Sequence, residues 1–309
     1  MENQALGLAE ALARLKPAEI VVKRVKWRSA FDRLPSALKS PWMLDPTSDA
    51  ARPASGARWP DVWIGAGRAT LPLSAAAKRW SGGRAFVVQT QDPRWRTGAY
   101  DLVVAPEHDG LTGPNVLSII GSPHRVSRAA LEAGAGSFVE VLTPLPHPQV
   151  AVLIGGRSAA FDLPEDHAAT LGDRIVAAVS AAGGSALVTF SRRTPDAARR
   201  VLRDRLTSVP GMIWDGKGTN PYFAFLHAAD HVLVTEDSAN MAAEAASTSK
   251  PVHVLPMVPL KPAPKFARLH ETLRAHGATR PFDGTLETWT YPPLNETERA
   301  AREVLKRLG

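Results

Sequence analysis

At 309 residues the chain exceeds what one hydrophobic core usually organises, so two domains are expected. Its 44% hydrophobic and 22% charged residues are those of a folded rather than a disordered protein, and no run of about 18 apolar residues offers a membrane-spanning helix. The absence of cysteine excludes disulfides and thiolate metal sites and fits a cytoplasmic protein, while the net charge of +7 points to anionic partners.

The chain opens on an amphipathic helix over residues 3–15, with Leu8, Leu12 and Leu15 on one face. It carries acids early and lacks both a basic n-region and an apolar h-region, so it does not read as a signal peptide. Residues 19–26 (EIVVKRVK) predict a strand. The region from Lys16 to Lys39 is the densest in cations: Lys16, Lys23, Arg24, Lys26, Arg28, Arg33 and Lys39 stand against Glu19 and Asp32, with Trp27, Phe31 and Trp42 interleaved. It reads either as a solvated face over a few core aromatics or as a surface for anionic lipid headgroups or an anionic acceptor. No nucleic-acid module is visible, so a nucleic-acid partner is not expected.

Residues 33–60 read as loop. Strands are then predicted at 61–64, 85–89, 101–105 and 115–120, with a helix at 73–80 between the first two and another at 127–133. Each strand runs into a polar tip. Asp92 follows the second, and His108, between Glu107 and Asp109, follows the third. His108 is a candidate general base, because a neighbouring carboxylate orients and tunes an imidazole. Asp92 and Asp109 are comparable candidates, and an ordinary loop histidine is the plainer reading. The stretch 143–149 (TPLPHPQ) is the expected linker. Beyond it, strands are predicted at 150–154, 185–190, 211–214, 231–235 and 251–255, alternating with helices at 165–182, 196–206, 239–247 and 267–276. A terminal helix covers 296–308.

This alternation on both sides of 143–149 predicts an α/β protein of two Rossmann-like, doubly wound parallel-sheet domains. The expected division is 1–145, 146–290, and a C-terminal helix in 291–309 that crosses back to the first domain. In such sheets ligands sit at the carboxyl ends of the strands. The second half gathers a matching set there: Gly155 and Gly156, Arg192 and Arg193, Lys217 with Asn220, and Asp237 with Ser238 and Asn240 at a helix start. Glu244 lies two turns into that helix, placed to accept from ribose hydroxyls. Cations, glycine amides and a helix N-terminus suit a diphosphate. The Walker, dinucleotide-glycine and serine-hydrolase elbow patterns are all absent.

The segments ENQALGLAEAL (2–12), GAGRATLPL (65–73), QTQDPR (89–94), DLVVAPEHD (101–109), NVLSIIGSPHRV (115–126) and NPYFAFLHAADHVLVTEDSANMAAEA (220–245) resemble the elongated-mitochondria fission-factor family of plant and α-proteobacterial proteins. The resemblance implies a GT-B-like fold, with two Rossmann-like halves facing each other and the donor held by the C-terminal half. It also implies an apolar strand ahead of Glu2, whereas this sequence opens at Met1. Asp237, Ser238 and Glu244 are similar to the diphosphate- and ribose-binding motif of UDP-sugar 2-epimerases and related transferases, with Ala239 and Asn240 where those carry paired glycines. The expected function is transfer of a sugar from a nucleotide-diphosphate sugar to a lipid or envelope saccharide, with no cofactor or metal required. The plant members' scaffold role implies the alternative of a non-catalytic adaptor docking on protein or membrane. A sugar-nucleotide epimerase is the third reading, disfavoured because the cleft acids of such enzymes are not recognisable.

Overall fold

The computed structural model describes residues 1–49, 58–94 and 96–309. Residues 50–57 of the expected loop lie outside them. The chain forms two compact units, 1–125 with 295–309, and 126–294.

In chain order the first unit holds α1 (Glu2–Leu15), the short α2 (Ser29–Asp32), β1 (Val62–Ala66), α3 (Leu71–Trp80), β2 (Phe86–Thr90), β3 (Leu102–Pro106) and β4 (Val116–Ile119). The second unit holds α4 (Arg128–Ala135), α5 (Val139–Leu142), β5 (Gln149–Ile154), β6 (Phe161–Asp162), α6 (Glu165–Ala181), β7 (Ser185–Phe190), α7 (Asp196–Leu206) and β8 (Gly211–Ile213). It continues through α8 (Tyr222–Ala228), β9 (His231–Thr235), α9 (Ala239–Ala246), β10 (Val252–Leu255), β11 (Val258–Pro259), α10 (Pro264–Ala275) and β12 (Thr279–Pro281). The final helix, α11 (Glu296–Leu308), belongs to the first unit.

The first sheet is parallel, in the order β1-β2-β3-β4. Strand residues alternate between faces, and the β-branched runs fill both. Val88, Leu102, Val104 and Ile119 pack under α1 and α11 through Leu8, Ala11, Leu12, Ala300, Ala301 and Val304. Val87, Val103 and Ala105 pack under α3 through Leu71, Ala75 and Ala77. Gly7 lets α1 approach the loop after β4, since a Cβ there would stand 2.3 Å from the His124 carbonyl carbon and oxygen. That loop is fixed in turn, because the His124 amide donates to Thr297 Oγ1 at 3.1 Å. For Gly7→Ala, helix propensity favours the variant by about 1 kcal/mol, and forcing a methyl into packed backbone costs about 1–3 kcal/mol. Because the obstacle is backbone rather than a mobile side chain, the clash should win. The expected result is a net loss of up to about 2 kcal/mol, read from the urea midpoint.

The second sheet is parallel, in the order β12-β10-β9-β5-β7-β8, with a small antiparallel β6–β11 ribbon beside it. Its central strand β5 is buried at every position. One face packs on α6 and α7 through Leu171, Ile175, Val179, Ala198 and Leu202, and the other carries α8 and α9. The fold class is therefore the expected one: α/β, with parallel sheets of Rossmann type covered on both faces.

Three local expectations differ. Residues 19–26 form no strand; Ile20, Val21 and Val22 are exposed, because neither a sheet edge nor an apolar face is offered to them among the described residues. Within the basic region, Lys39 turns inward, its Nζ donating to the Asp32 carbonyl at 2.8 Å and lying 5.1 Å from the Trp27 ring centroid. Trp27 is itself buried, its indole donating to the Ala69 carbonyl at 3.1 Å. The proline-rich 143–149 stretch is bound into the second unit rather than linking the two. Gln149 Nε2 donates to the Leu142 carbonyl at 2.7 Å, Ser185 Oγ to the Pro146 carbonyl at 2.8 Å, and His147 Nδ1 meets Asp230 Oδ2 at 2.6 Å. The units accordingly divide at 125/126, not 145/146.

At the amino edge of the second sheet, the buried side chains His231 and His253 lie with ring centroids 5.7 Å apart. Trp289 packs edge-on against His253 at 5.0 Å, and Phe282 does so at 6.2 Å. Among the described residues, no helix is long and apolar enough to cross a membrane.

Candidate anion site at the strand tips of the second unit

The strand order fixes where a ligand site should be sought. From β5 the chain winds outward through β7 to β8, then returns to β9 on the other side of β5. The crevice between β5 and β9 is thus the topological switch point, where open α/β sheets bind ligands beyond the carboxyl ends of their strands. Gly155 and Gly156 follow β5 there, the 191–194 turn follows β7, and Glu236, Asp237 and Ser238 follow β9.

Asp237 organises these tips. Its side chain is fully buried. Oδ2 accepts from the Gly156 amide at 3.0 Å and from Arg193 Nη2 at 2.8 Å, while Oδ1 accepts from Thr235 Oγ1 at 2.7 Å. Thr235 Oγ1 in turn accepts from the Gly155 amide at 2.7 Å. Thr194 Oγ1 closes the third side by donating to the Gly155 carbonyl. The Arg157 amide donates to the Arg193 carbonyl at 3.0 Å. One carboxylate thereby ties together the loops after β5, β7 and β9.

The glycines are needed for close approach. A Cβ on Gly155 would lie 2.0 Å from Asp237 Oδ1, and one on Gly156 would lie 2.2 Å from the Arg193 carbonyl oxygen. Their amides, read from sequence as donors to a diphosphate, are committed to Thr235 and Asp237 instead. The cationic character of the site therefore falls to arginine. Arg193 is held by Asp237 but keeps 45% of its side chain exposed. Arg192 and Arg157 are exposed beside it. Ser238 caps α9, accepting from the Met241 amide at 3.4 Å, and Asn240 is exposed on the first turn of that helix. Asp237 places a buried anion beside this end of the site, and its pairing with Arg193 offsets that charge.

Lys217 and Asn220 are positioned differently. Both lie in the loop after the edge strand β8, three strand positions from β9 or roughly 14 Å along the sheet. Lys217 lines a cavity of about 320 Å³ with Phe138, Met212, Ile213, Trp214 and Thr219. The Trp214 indole donates to the Lys217 carbonyl at 2.8 Å, and the Lys217 amide donates to Asp215 Oδ1 at 2.9 Å. Asn220 Oδ1 accepts from the Tyr222 amide at 3.0 Å, an Asx turn that opens α8. Glu244 is not an open acceptor: the Tyr222 hydroxyl donates to its Oε2 at 2.5 Å. Burial pushes the Glu244 carboxyl up to about 7, and the Tyr222 hydrogen bond opposes that rise. Burial, with the Glu244 charge beside it, raises the Tyr222 phenol well above its ordinary value.

In the first unit, Asp92, His108 and Asp109 all follow carboxyl ends of the adjacent parallel strands β2 and β3. Asp92 Oδ1 accepts from the Arg94 amide at 2.7 Å, with Gln91 and Arg94 on either side of it in left-handed backbone conformation. His108 and Asp109 sit on a single helical turn.

Sequence reasoning missed Thr235, Thr194, Arg157 and Tyr222. The first three stand next to singled-out residues, but their wiring depends on how neighbouring strand tips meet. The role of Tyr222 depends on the packing of α8 near α9, which no local pattern encodes.

Against known proteins, the chain is 32% identical over 277 residues to the mitochondrial fission protein ELM1 of Arabidopsis thaliana, across 81% of this chain and 64% of that one. It thus spans a little under two thirds of that relative's length. It is 28% identical to the uncharacterized protein RP120 of Rickettsia prowazekii, over 80% of this chain and 79% of that protein. Among solved structures it is similar to the UDP-GlcNAc 2-epimerase of Methanocaldococcus jannaschii, at 13% identity and a TM-score of 0.48, covering 80% of this chain and 77% of that one. The family model described as Mitochondrial fission ELM1 matches residues 1–308, and the chain belongs to that family.

Proposed function

We propose that the second unit binds a nucleotide-diphosphate sugar and that the chain transfers its sugar to a lipid or envelope saccharide at the inner face of the cytoplasmic membrane. The observation carrying this reading is the convergence of three strand tips at the switch point, where Asp237 holds Arg193 in place while leaving nearly half of its side chain exposed. An arginine oriented by a carboxylate is ready to accept a diphosphate with little further ordering. Arg192 and Arg157 add charge, and the N-terminus of α9 adds its dipole. The cavity beside Trp214 has the size of a small-ligand pocket, with Ser137, Asp215, Lys217 and Thr219 as polar lining beside the Trp214 ring, and would take the base. Developing charge on the leaving diphosphate would be neutralised by these cations, so neither cofactor nor metal is required. Asp92, His108 and Asp109 are the proposed candidates for taking the acceptor's proton.

Calorimetry with UDP, GDP, ADP and CMP tests the reading. At least one should bind, and Arg193→Ala should weaken it by roughly 10- to 30-fold, the worth of one charge-assisted hydrogen bond. No heat with any of them at millimolar concentration would remove the proposal.

A second reading, a non-catalytic adaptor, is favoured by one observation. The exposed Ile20, Val21 and Val22 lie beside Lys16 and Lys23, an apolar and cationic combination suited to an anionic membrane surface. Flotation with anionic liposomes that is lost on Lys16→Glu and Lys23→Glu, in a chain that binds no nucleotide, would favour it.

A further inference from the structure

The loop after β8 is exposed, yet it is closely tied to itself. The Trp214 indole donates to the Lys217 carbonyl at 2.8 Å, and the Lys217 amide donates to Asp215 Oδ1 at 2.9 Å. Gly216, at φ 90°, supplies the left-handed residue inside this turn. The turn borders the cavity of about 320 Å³, which is lined by Met212 and Ile213 of β8, by Phe138 and Trp214, and by Asp215 and Lys217. That volume is at the low end of small-ligand cavities, about 300–1,000 Å³, and suits one flat ring system rather than a whole nucleotide sugar. Among the described residues neither Asp215 nor Lys217 enters an ion pair, and Asp215 Oδ2 accepts no hydrogen bond. The cavity therefore offers a carboxylate with lone pairs to spare, held in place by its own loop, together with an ammonium donor.

Resting on the nucleotide-binding reading above, we propose that this cavity selects guanine, with Asp215 accepting from N1–H and the 2-amino group and Lys217 donating to O6, so that the ligand of the second unit is a guanosine-diphosphate sugar. The argument is one of complementary edges. Guanine presents two adjacent donors beside one acceptor, which matches a carboxylate beside an ammonium. Uracil presents a single N–H between two carbonyls, so one of those carbonyls would face the carboxylate. Adenine and cytosine each present one amino group beside a ring-nitrogen acceptor, which leaves the carboxylate half used. Hydrogen bonds to a charged acceptor are the strong ones, so the second donor decides the choice. The flat base would lie against Trp214, a contact every base can make and one that therefore carries no selectivity. Discrimination falls to Asp215.

The test measures affinity for GDP, inosine diphosphate, xanthosine diphosphate, ADP and UDP in the wild type and in Asp215→Asn. The wild type should bind GDP roughly ten- to a hundredfold more tightly than UDP or ADP. Inosine diphosphate keeps N1–H and O6 and lacks the 2-amino group, so it should bind roughly tenfold more weakly than GDP, the worth of one charge-assisted hydrogen bond. Asparagine keeps an oxygen for the Lys217 amide, so the turn survives, and it replaces one acceptor by a donor. Asp215→Asn should therefore weaken GDP roughly tenfold and tighten xanthosine diphosphate, which carries an oxygen in place of the 2-amino group. A melting temperature within a few degrees of the wild type checks that the variant folds. UDP or ADP binding as tightly as GDP in the wild type overturns this inference and leaves the nucleotide reading standing. Equal weakening of all the diphosphates by Asp215→Asn also overturns it, because Asp215 then only shapes the loop. No binding of any nucleotide by the wild type overturns both.

Discussion

Replacing Asp237 by Ala is expected to destabilise the protein by about 3 kcal/mol and to weaken nucleotide binding together. The carboxylate accepts from the Gly156 amide, the Thr235 hydroxyl and Arg193 Nη2. Truncation leaves the amide and the hydroxyl buried without that acceptor, each at a cost of about 1–3 kcal/mol, and frees a guanidinium. Some of that cost is offset, because Arg193 is nearly half exposed and regains water. This predicts an order. Asp237→Ala should cost more stability than Arg193→Ala, which leaves the carboxylate its two neutral donors. Both should weaken nucleotide binding, Asp237→Ala by letting the arginine drift and Arg193→Ala by removing it. Urea unfolding and calorimetry on the two variants make the comparison. A loss under about 0.5 kcal/mol for Asp237→Ala would show that water enters freely and that the strand tips are not organised by this side chain.

Acid should unfold the protein through His253. Burial, and next the proximity of His231, hold its imidazole down at about 4 against an ordinary value of 6.5. Because the folded value is depressed, the unfolded chain binds the extra proton first. The stabilisation is fully present above pH 6.5 and is lost as the pH falls towards 4. Over that window the loss amounts to about 3 kcal/mol, at about 1.4 kcal/mol for each unit of difference. Desolvation also lowers the His231 imidazole, while Asp230 opposes that shift, so His231 adds in the same direction. Carboxylates lose their own contributions at low pH, and a substitution separates the two effects. His253→Phe keeps a ring against Trp289 and Phe282 and removes the titration. Its stability at pH 4.5 relative to pH 7.5 should fall by about 2–3 kcal/mol less than that of the wild type. Parallel pH profiles for the two proteins would exclude His253 as the source.

Strand identity was legible because runs such as HVLVT and AVLI have no polar alternation and must be buried on both faces. The same logic misled at EIVVKRVK: a β-branched run predicts a strand only where an edge receives it, and edges are tertiary facts. The prolines of 143–149 mark a rigid segment, and rigidity suits anchorage as well as linkage. At the site, polar residues after strands revealed which loops share a sheet edge, since parallel topology places them there. Sequence could not say that the glycine amides are consumed internally, that Lys217 belongs to a cavity at the far strand, or that Tyr222 covers Glu244. Each depends on distances of a few ångströms between segments distant along the chain.

The pairing of α1 with α11 on one sheet face has a consequence for biosynthesis. The ribosome makes α1 and all four strands of the first unit early, then the entire second unit, and only afterwards the helix whose Ala300, Ala301 and Val304 cover Leu8 and Leu12. Until then that nascent face stays greasy and open, an invitation to chaperones. The later-made unit can therefore reach its final state before the earlier one.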